Sequence, residues 1–228
     1  MPAPRLHQEF VADITYVTTG GATWYFALSD STTLAEDTSA AVALSSELGG
    51  NDGYTTPVVS ITGYAWDVAS QKVKVVIPDF VYENTGTTTI QASAILTVCC
   101  PSGHTRKVPK LITQSNFDGA ANTVTSTNHG YVDGDGVVFR ASAGTLDSAI
   151  NSSTLYKVLN ASANSFQLSI NEVDPVDLNG DAAGLTGYII DATLDARGYT
   201  YKQFVSPVSI NPGQNITVKY SHAVDTLL

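Results

Sequence analysis

LITQSNFDGAANTVTSTNHGYVDGDGVVFR (residues 111–140) opens a stretch that runs on to DAAGLTGYIIDATLDA (residues 181–196) and differs in kind from the chain on either side. Between 111 and 196 stand ten acidic residues and two basic ones, Arg140 and Lys157, a formal net of −8. The flanks keep eleven of the 21 acidic and nine of the 11 basic residues, a net of −2. A charge step of this kind predicts a separate module set into a host domain. Residues 1–110 and 197–228 then form two parts of one base domain, and 111–196 is an inserted acidic domain that projects outward.

The flanks and the insert share one texture, short apolar runs broken by turn residues. Thr23–Leu28 reads as a strand that stops at Ser29-Asp30-Ser31, and 39–48 as a short helix ended by Gly49-Gly50. Asn51-Asp52-Gly53 is a turn leading into a strand over 54–61. Lys72–Ile77 alternates and then turns wholly apolar before Pro78, while Thr87–Val98 is the longest β-run. The last two strands are expected over Tyr199–Pro207 and Gln214–His222, joined by a type II turn at Asn211-Pro212-Gly213-Gln214. Within the insert, strands are expected at Asn122–Ser126, Gly136–Arg140, Leu155–Leu159, Ser165–Ile170 and Gly187–Ile190. Five strands in so short a stretch is the spacing of a small barrel or sandwich. The fold class is therefore all-β: a jelly-roll-like β-sandwich with an inserted small β-barrel or sandwich module.

Composition narrows the function. Charged residues make up 14%, below the usual quarter, with Thr, Ser, Asn, Gly and eleven Tyr in their place. A net charge of −10 argues against nucleic acid, whose phosphates need clustered cations. The cluster Arg106, Lys107, Lys110 reads as a solvated linker at the domain junction. No window is apolar enough to span a membrane, and MPAPRLHQEF has no apolar core of a signal peptide. Cys99 and Cys100 are expected as free thiols at the end of a buried strand, made in a reducing cytosol.

No enzyme motif stands out, and an enzyme is not expected; neither is a cofactor. Asp177, Asn179 and Asp181 open like a calcium loop, but Ala182 stands where the sharp turn needs Gly and Tyr188 where a bidentate Glu is needed. A solvated turn is the simpler reading, with a loose Ca²⁺ site as the alternative. Asp133 and Asp135 have a spacing two glycosidase carboxylates could use, yet Asp-Gly-Asp-Gly is turn chemistry first. Cys99, Cys100 and His104 lack a fourth metal ligand, and none of His7, His104, His129 and His222 has zinc-site spacing. Aromatic residues crowd the first half, and Trp24, Tyr25, Tyr54, Trp66 and Tyr82 are the interface candidates.

The flanking motifs, taken in order, resemble a family of small β-rich structural proteins of tailed bacteriophages. The matching residues are Trp24–Ser29, Glu47 with Gly49–Tyr54, Val75–Pro78, Ile90–Val98, and Phe204–Ile216, where Gln214 departs from the family's Asp. The insert resembles a second phage module found in fibres, through Asn122–Thr125, His129-Gly130, Gly134-Asp135, Val137, Phe139, Tyr156–Val158 and Asn164–Leu168. The resemblance implies a virion protein assembled in the host cytoplasm, homo-oligomeric, with other virion proteins as partners. Capsid decoration is the leading expectation. A tail fibre or tail tip, touching a host surface glycan, is the alternative, and a carbohydrate-active enzyme using the insert's aspartates is a third.

Overall fold

The computed structural model describes residues 23–35, 38–48, 58–59, 63–67, 72–76, 79–101, 103–194, 199–218 and 221–224. The first part of the base supplies β1 (Thr23–Ser29), helix α1 (Ala40–Ser45), β2 (Val58–Val59), β3 (Gly63–Asp67), β4 (Lys72–Val76), β5 (Phe80–Glu83) and β6 (Ile90–Cys100). The acidic stretch supplies β7 (Lys110–Thr113), β8 (Phe117–Asp118), β9 (Thr123–Thr125), β10 (Gly136–Thr145), β11 (Tyr156–Leu159), β12 (Ser165–Ser169) and β13 (Ala183–Asp191). The chain then returns through β14 (Tyr199–Ile210), β15 (Asn215–Val218) and β16 (Ser221–Val224). The protein is nearly all β, with sheets packed as in a sandwich and one sheet curled toward a half-barrel.

A four-stranded antiparallel sheet, ordered β14-β6-β1-β2, is the centre of the base. Its two middle strands are covered on both faces over most of their length, which is why apolar residues dominate them, with Ser93 and Thr97 the buried polar exceptions in β6. Phe26, Leu28, Ile90 and Ile95 point to one side and pack with Phe80 and Tyr82 of β5, which pairs with β15. Tyr25, Ala27, Leu96, Val98 and Cys100 point to the other side. There they meet α1 and Val138, Tyr188 and Ile190 from the outer face of β10 and β13. The acidic module therefore lies against the base sheet through an apolar seam.

The module is a seven-stranded sheet, ordered β7-β13-β10-β11-β12-β9-β8. Its two edge strands, β7 and β8, are separated in sequence only by the 3-10 turn Gln114–Asn116. So short a connection forces the sheet to curl until its edges approach. Inside the curl sit Phe117, Val124, Phe139, Tyr156, Phe166, Leu168 and Ile189. Close backbone approach limits what the sheet accepts. A Cβ on Gly187 would stand 2.2 Å from the carbonyl oxygen of Arg140 on the paired strand. Gly187→Ala is expected to destabilise by about 1–3 kcal/mol through forced backbone movement. A urea midpoint equal to the parent's would refute that.

Three differences from the sequence reading have physical causes. The expected helix over 39–48 is shorter, because Glu47 bridges Ser29 and the Leu48 N–H bonds the Leu28 carbonyl, drawing that end into the sheet. The expected strand Gln214–His222 is two strands, β15 on β5 and β16 on β4, in different sheets. The module has seven strands rather than five, because β7 and β8 are too short to show a period. The Asn211–Gln214 turn has Gly213 at φ +74° and the Gln214 N–H on the Asn211 carbonyl at 3.0 Å. The turn expected at 51–53 lies outside the described residues.

Candidate functional site

Between β6 in the base and β7 in the module, residues 103–109 cross the seam. This segment, read as a solvated linker, instead holds a buried charged cluster. The Arg106 guanidinium is 2% exposed and the Glu47 carboxylate fully buried. Arg106 Nη1 donates to Glu47 Oε1 at 2.8 Å, Nη2 donates to Glu47 Oε2, and Nη2 also donates to the Asp191 carbonyl at 3.0 Å. The forked geometry of an arginine is what a buried carboxylate requires. Burial opposes the Arg106 charge, but the Glu47 charge and hydrogen bonds more than offset it and hold the pKa above its ordinary value. The Arg106 backbone N–H donates to the Tyr25 hydroxyl at 2.9 Å.

The second half of the cluster is built on Asp191 and Asp135. His104 Nε2 lies 2.9 Å from Asp191 Oδ2, which also accepts the Lys107 backbone N–H at 2.8 Å. Burial works to raise the Asp191 pKa, but the His104 hydrogen bond, the Arg106 charge and the N–H groups of Lys107 and Thr193 hold it below its ordinary value. The other ring nitrogen of His104, Nδ1, is 3.6 Å from Asp135 Oδ1. Lys107 Nζ donates to Asp135 Oδ2 at 2.8 Å and stands 5.8 Å from the centre of the Tyr131 ring. Tyr131 is buried, and burial pushes its hydroxyl well above the usual tyrosine value. Its Oη has no hydrogen-bond partner among the described residues. Three residues of one strap, His104, Arg106 and Lys107, thus engage Glu47 of the base and Asp135 and Asp191 of the module.

Arg140 makes a second crossing at the rim. From β10 its Nη1 donates to the Glu47 carbonyl at 2.8 Å, and its Nη2 pairs with Asp30. Both crossings converge on Glu47, the first through its side chain and the second through its backbone.

The residues singled out from sequence take varied places. Asp181 accepts the Ser148 N–H at 2.8 Å and the Ser148 Oγ–H at 2.7 Å, Asn179 Nδ2 donates to Ser148 Oγ, and Asp177 is exposed. These polar atoms close two loops on each other. Among the described residues no group of three or more His, Cys, Asp or Glu is placed to hold a metal ion. Asp133 is exposed and accepts the Ala161 N–H, whereas Asp135 turns inward to Lys107. Cys99 and Cys100 form no disulfide and are buried, with burial pushing the Cys100 thiol up to about 12, and His104 faces carboxylates rather than thiols. Tyr25 and Tyr82 belong to the chain's own core, so they offer no surface to a neighbour; Trp24 is half-buried. Trp66 lies on β3 opposite Val73, and Tyr54 and His7 lie outside the described residues. Sequence reasoning missed Glu47, Arg106 and Asp191 as partners.

The cluster also sets a pH dependence. Asp191, with a lowered folded pKa, contributes stability that is full above about pH 4 and lost as pH falls through the folded value. His129 stacks on Tyr131 and meets the edge of Phe166, and burial holds its imidazole pKa below the ordinary value. Its contribution is full above about pH 6.5 and declines as pH drops, because unfolding releases a ring that takes up a proton. His129→Asn keeps an acceptor for the Tyr131 N–H, now bonded to Nδ1 at 3.0 Å. The thermal midpoint should fall between about pH 7 and about pH 5 in the parent and much less in this variant. Equal slopes would remove His129 from the account.

Compared with known proteins, the chain matches no family model, no curated protein and no solved structure.

Proposed function

We propose that this chain is a non-enzymatic structural subunit of a tailed-phage virion, most simply a capsid decoration protein that docks by its β-sandwich base. The observation that carries the reading is the seam. An acidic module is fixed to the base by apolar packing and by buried Arg106, Glu47 and Asp191. That construction suits a part that must hold one orientation on a particle. Asp118, Asp133, Glu172, Asp174, Asp177 and Asp181 are exposed on the module. A coat of such modules would repel neighbouring particles. The order of sequence motifs in both flanks and insert supports the same reading. Many weakly docking copies on a symmetric lattice would gain strength by avidity.

One observation favours the tail-fibre alternative. A cleft of about 560 Å³ opens beside the loop 145–152, lined by Ser45, Ser148, Asn151 and Ser152 together with the apolar Leu146 and Ile150. Hydroxyl and amide groups beside an apolar wall suit a polyhydroxylated ligand such as a host surface glycan. Quantitative mass spectrometry of purified particles, referenced to the major capsid protein, separates the readings. A copy number comparable to the capsid protein supports decoration. A handful per particle supports the tail, where a glycan array would then test the cleft. Absence from particles overturns both.

A further inference from the structure

We propose that Lys107 and Asp135 become joined by an intramolecular isopeptide bond, a covalent staple between the strap and the acidic module. The inference is independent of the virion reading. It stands on four observations. The amine nitrogen is 2.8 Å from Asp135 Oδ2, which places it close to the carboxyl carbon. The pair is largely out of water, the side chains being 17% and 6% exposed. The Tyr131 ring lies beside the amine. A proton-carrying group, His104, faces the same carboxyl at 3.6 Å and is held from behind by Asp191 at 2.9 Å.

The chemistry balances without an oxidant or cofactor. The ammonium of Lys107 passes one proton to the Asp135 carboxylate, leaving a neutral amine against a neutral acid, a pair that a dry site tolerates. The Nζ lone pair attacks Cγ and forms the N–C bond. In the neutral tautomer that donates Nε2–H to the Asp191 carboxylate, Nδ1 turns its lone pair toward Asp135. Nδ1 takes a second proton from nitrogen and delivers it to the departing hydroxyl. The Cγ–O bond breaks, one water leaves, and the third proton remains on the amide nitrogen. Fixed geometry makes the condensation feasible, since held partners reach effective molarities of ~10⁵–10⁸ M. The arrangement of a carboxylate orienting an imidazole beside the reacting pair follows the logic of hydrolase triads, with the two ring nitrogens exchanged.

Asp135 precedes Gly136, and Asp-Gly can also lose water by closing a succinimide through the glycine nitrogen. Here the Gly136 N–H is held by Thr193 Oγ1 at 2.9 Å, which restrains that route. The two products have the same mass and must be told apart.

The test is the intact mass of the purified, folded full chain, with removal of the initiator Met taken into account, followed by tryptic mapping. The expected result is a mass one water lighter than the sequence. Fragment-ion spectra should show peptide 107–110 joined to peptide 111–140 through Lys107 and Asp135, a species that uncleaved 107–140 matches in mass but not in fragments. The link should survive hydroxylamine, which opens succinimides. Lys107→Arg keeps the charge and should restore the full mass with unchanged circular dichroism. His104→Ala should slow the loss of water. A parent chain with the full sequence mass after prolonged incubation overturns the proposal. So does a water loss that persists in Lys107→Arg or maps within peptide 111–140 alone.

Discussion

Arg106→Met is expected to lower the unfolding free energy by about 3–5 kcal/mol, the cost of leaving a buried carboxylate without its partner. Three features put this substitution at the top of the scale. Glu47 has no exposure through which water could replace the guanidinium. Both carboxylate oxygens receive a hydrogen bond from Arg106. The same guanidinium also satisfies the Asp191 carbonyl at the end of β13, so the base and the module lose a shared group together. Urea unfolding near neutral pH measures the loss. A decrease below about 1 kcal/mol would mean that the pair behaves like a surface salt bridge, whose usual worth is that small. The double variant Glu47→Leu, Arg106→Met should recover much of the loss, because an apolar pair often replaces a buried ion pair without penalty.

Asp147→Ala is the second large effect, expected at roughly 2–4 kcal/mol, since hydrogen bonds to a charged acceptor are worth about 1.5–3 kcal/mol. Asp147 is fully buried between β10 and β11. Its carboxylate accepts the backbone N–H groups of Ala149 at 3.0 Å, Asn179 at 3.2 Å and Gly180 at 2.6 Å. One side chain therefore closes its own loop and pins the loop that precedes β13. The total stays below the sum of three bonds, because the exposed backbone at 179–180 regains water. Amide hydrogen exchange should show protection lost at 179 and 180 while Val138 and Ile190 keep theirs. Loss confined to residues 147–149 would show that the second loop is held by other means.

How much of this was legible in the sequence depends on distance along the chain. The central strands were readable because burial on both faces leaves mostly apolar runs, as in Tyr25–Leu28 and in Ala92–Val98, where only Ser93 and Thr97 interrupt. Strands of the module were readable where turn residues bracket them, as Gly134 and Asp135 do before β10. The strands β7 and β8 were not, because two to four residues carry no period. The charged cluster was illegible for a different reason. Arg106 and Glu47 are 59 positions apart, and Lys107 and Asp135 are 28 apart. Nothing in a residue's type tells whether its charge is solvated or paired inside. The available hint was local: cations on a strap between two apolar strands, and a lone acid, Glu47, at the end of the apolar run 40–44.

The path of the chain at the seam has a consequence for descent. β6 leaves the base sheet and β14 re-enters it as its neighbour, with Tyr199 opposite Val98, while β7 and β13 stand side by side in the module. The module's two ends therefore meet the base at one point, separated by no more than the spacing of adjacent strands. A recombination event that replaced everything between them would leave every register in the base intact, as would one that closed the gap with a tight turn. The strap carrying His104, Arg106 and Lys107 would have to travel with whichever side kept its partners. Base and module can thus be inherited on separate histories, with the ancestry of each read from its own half of the seam.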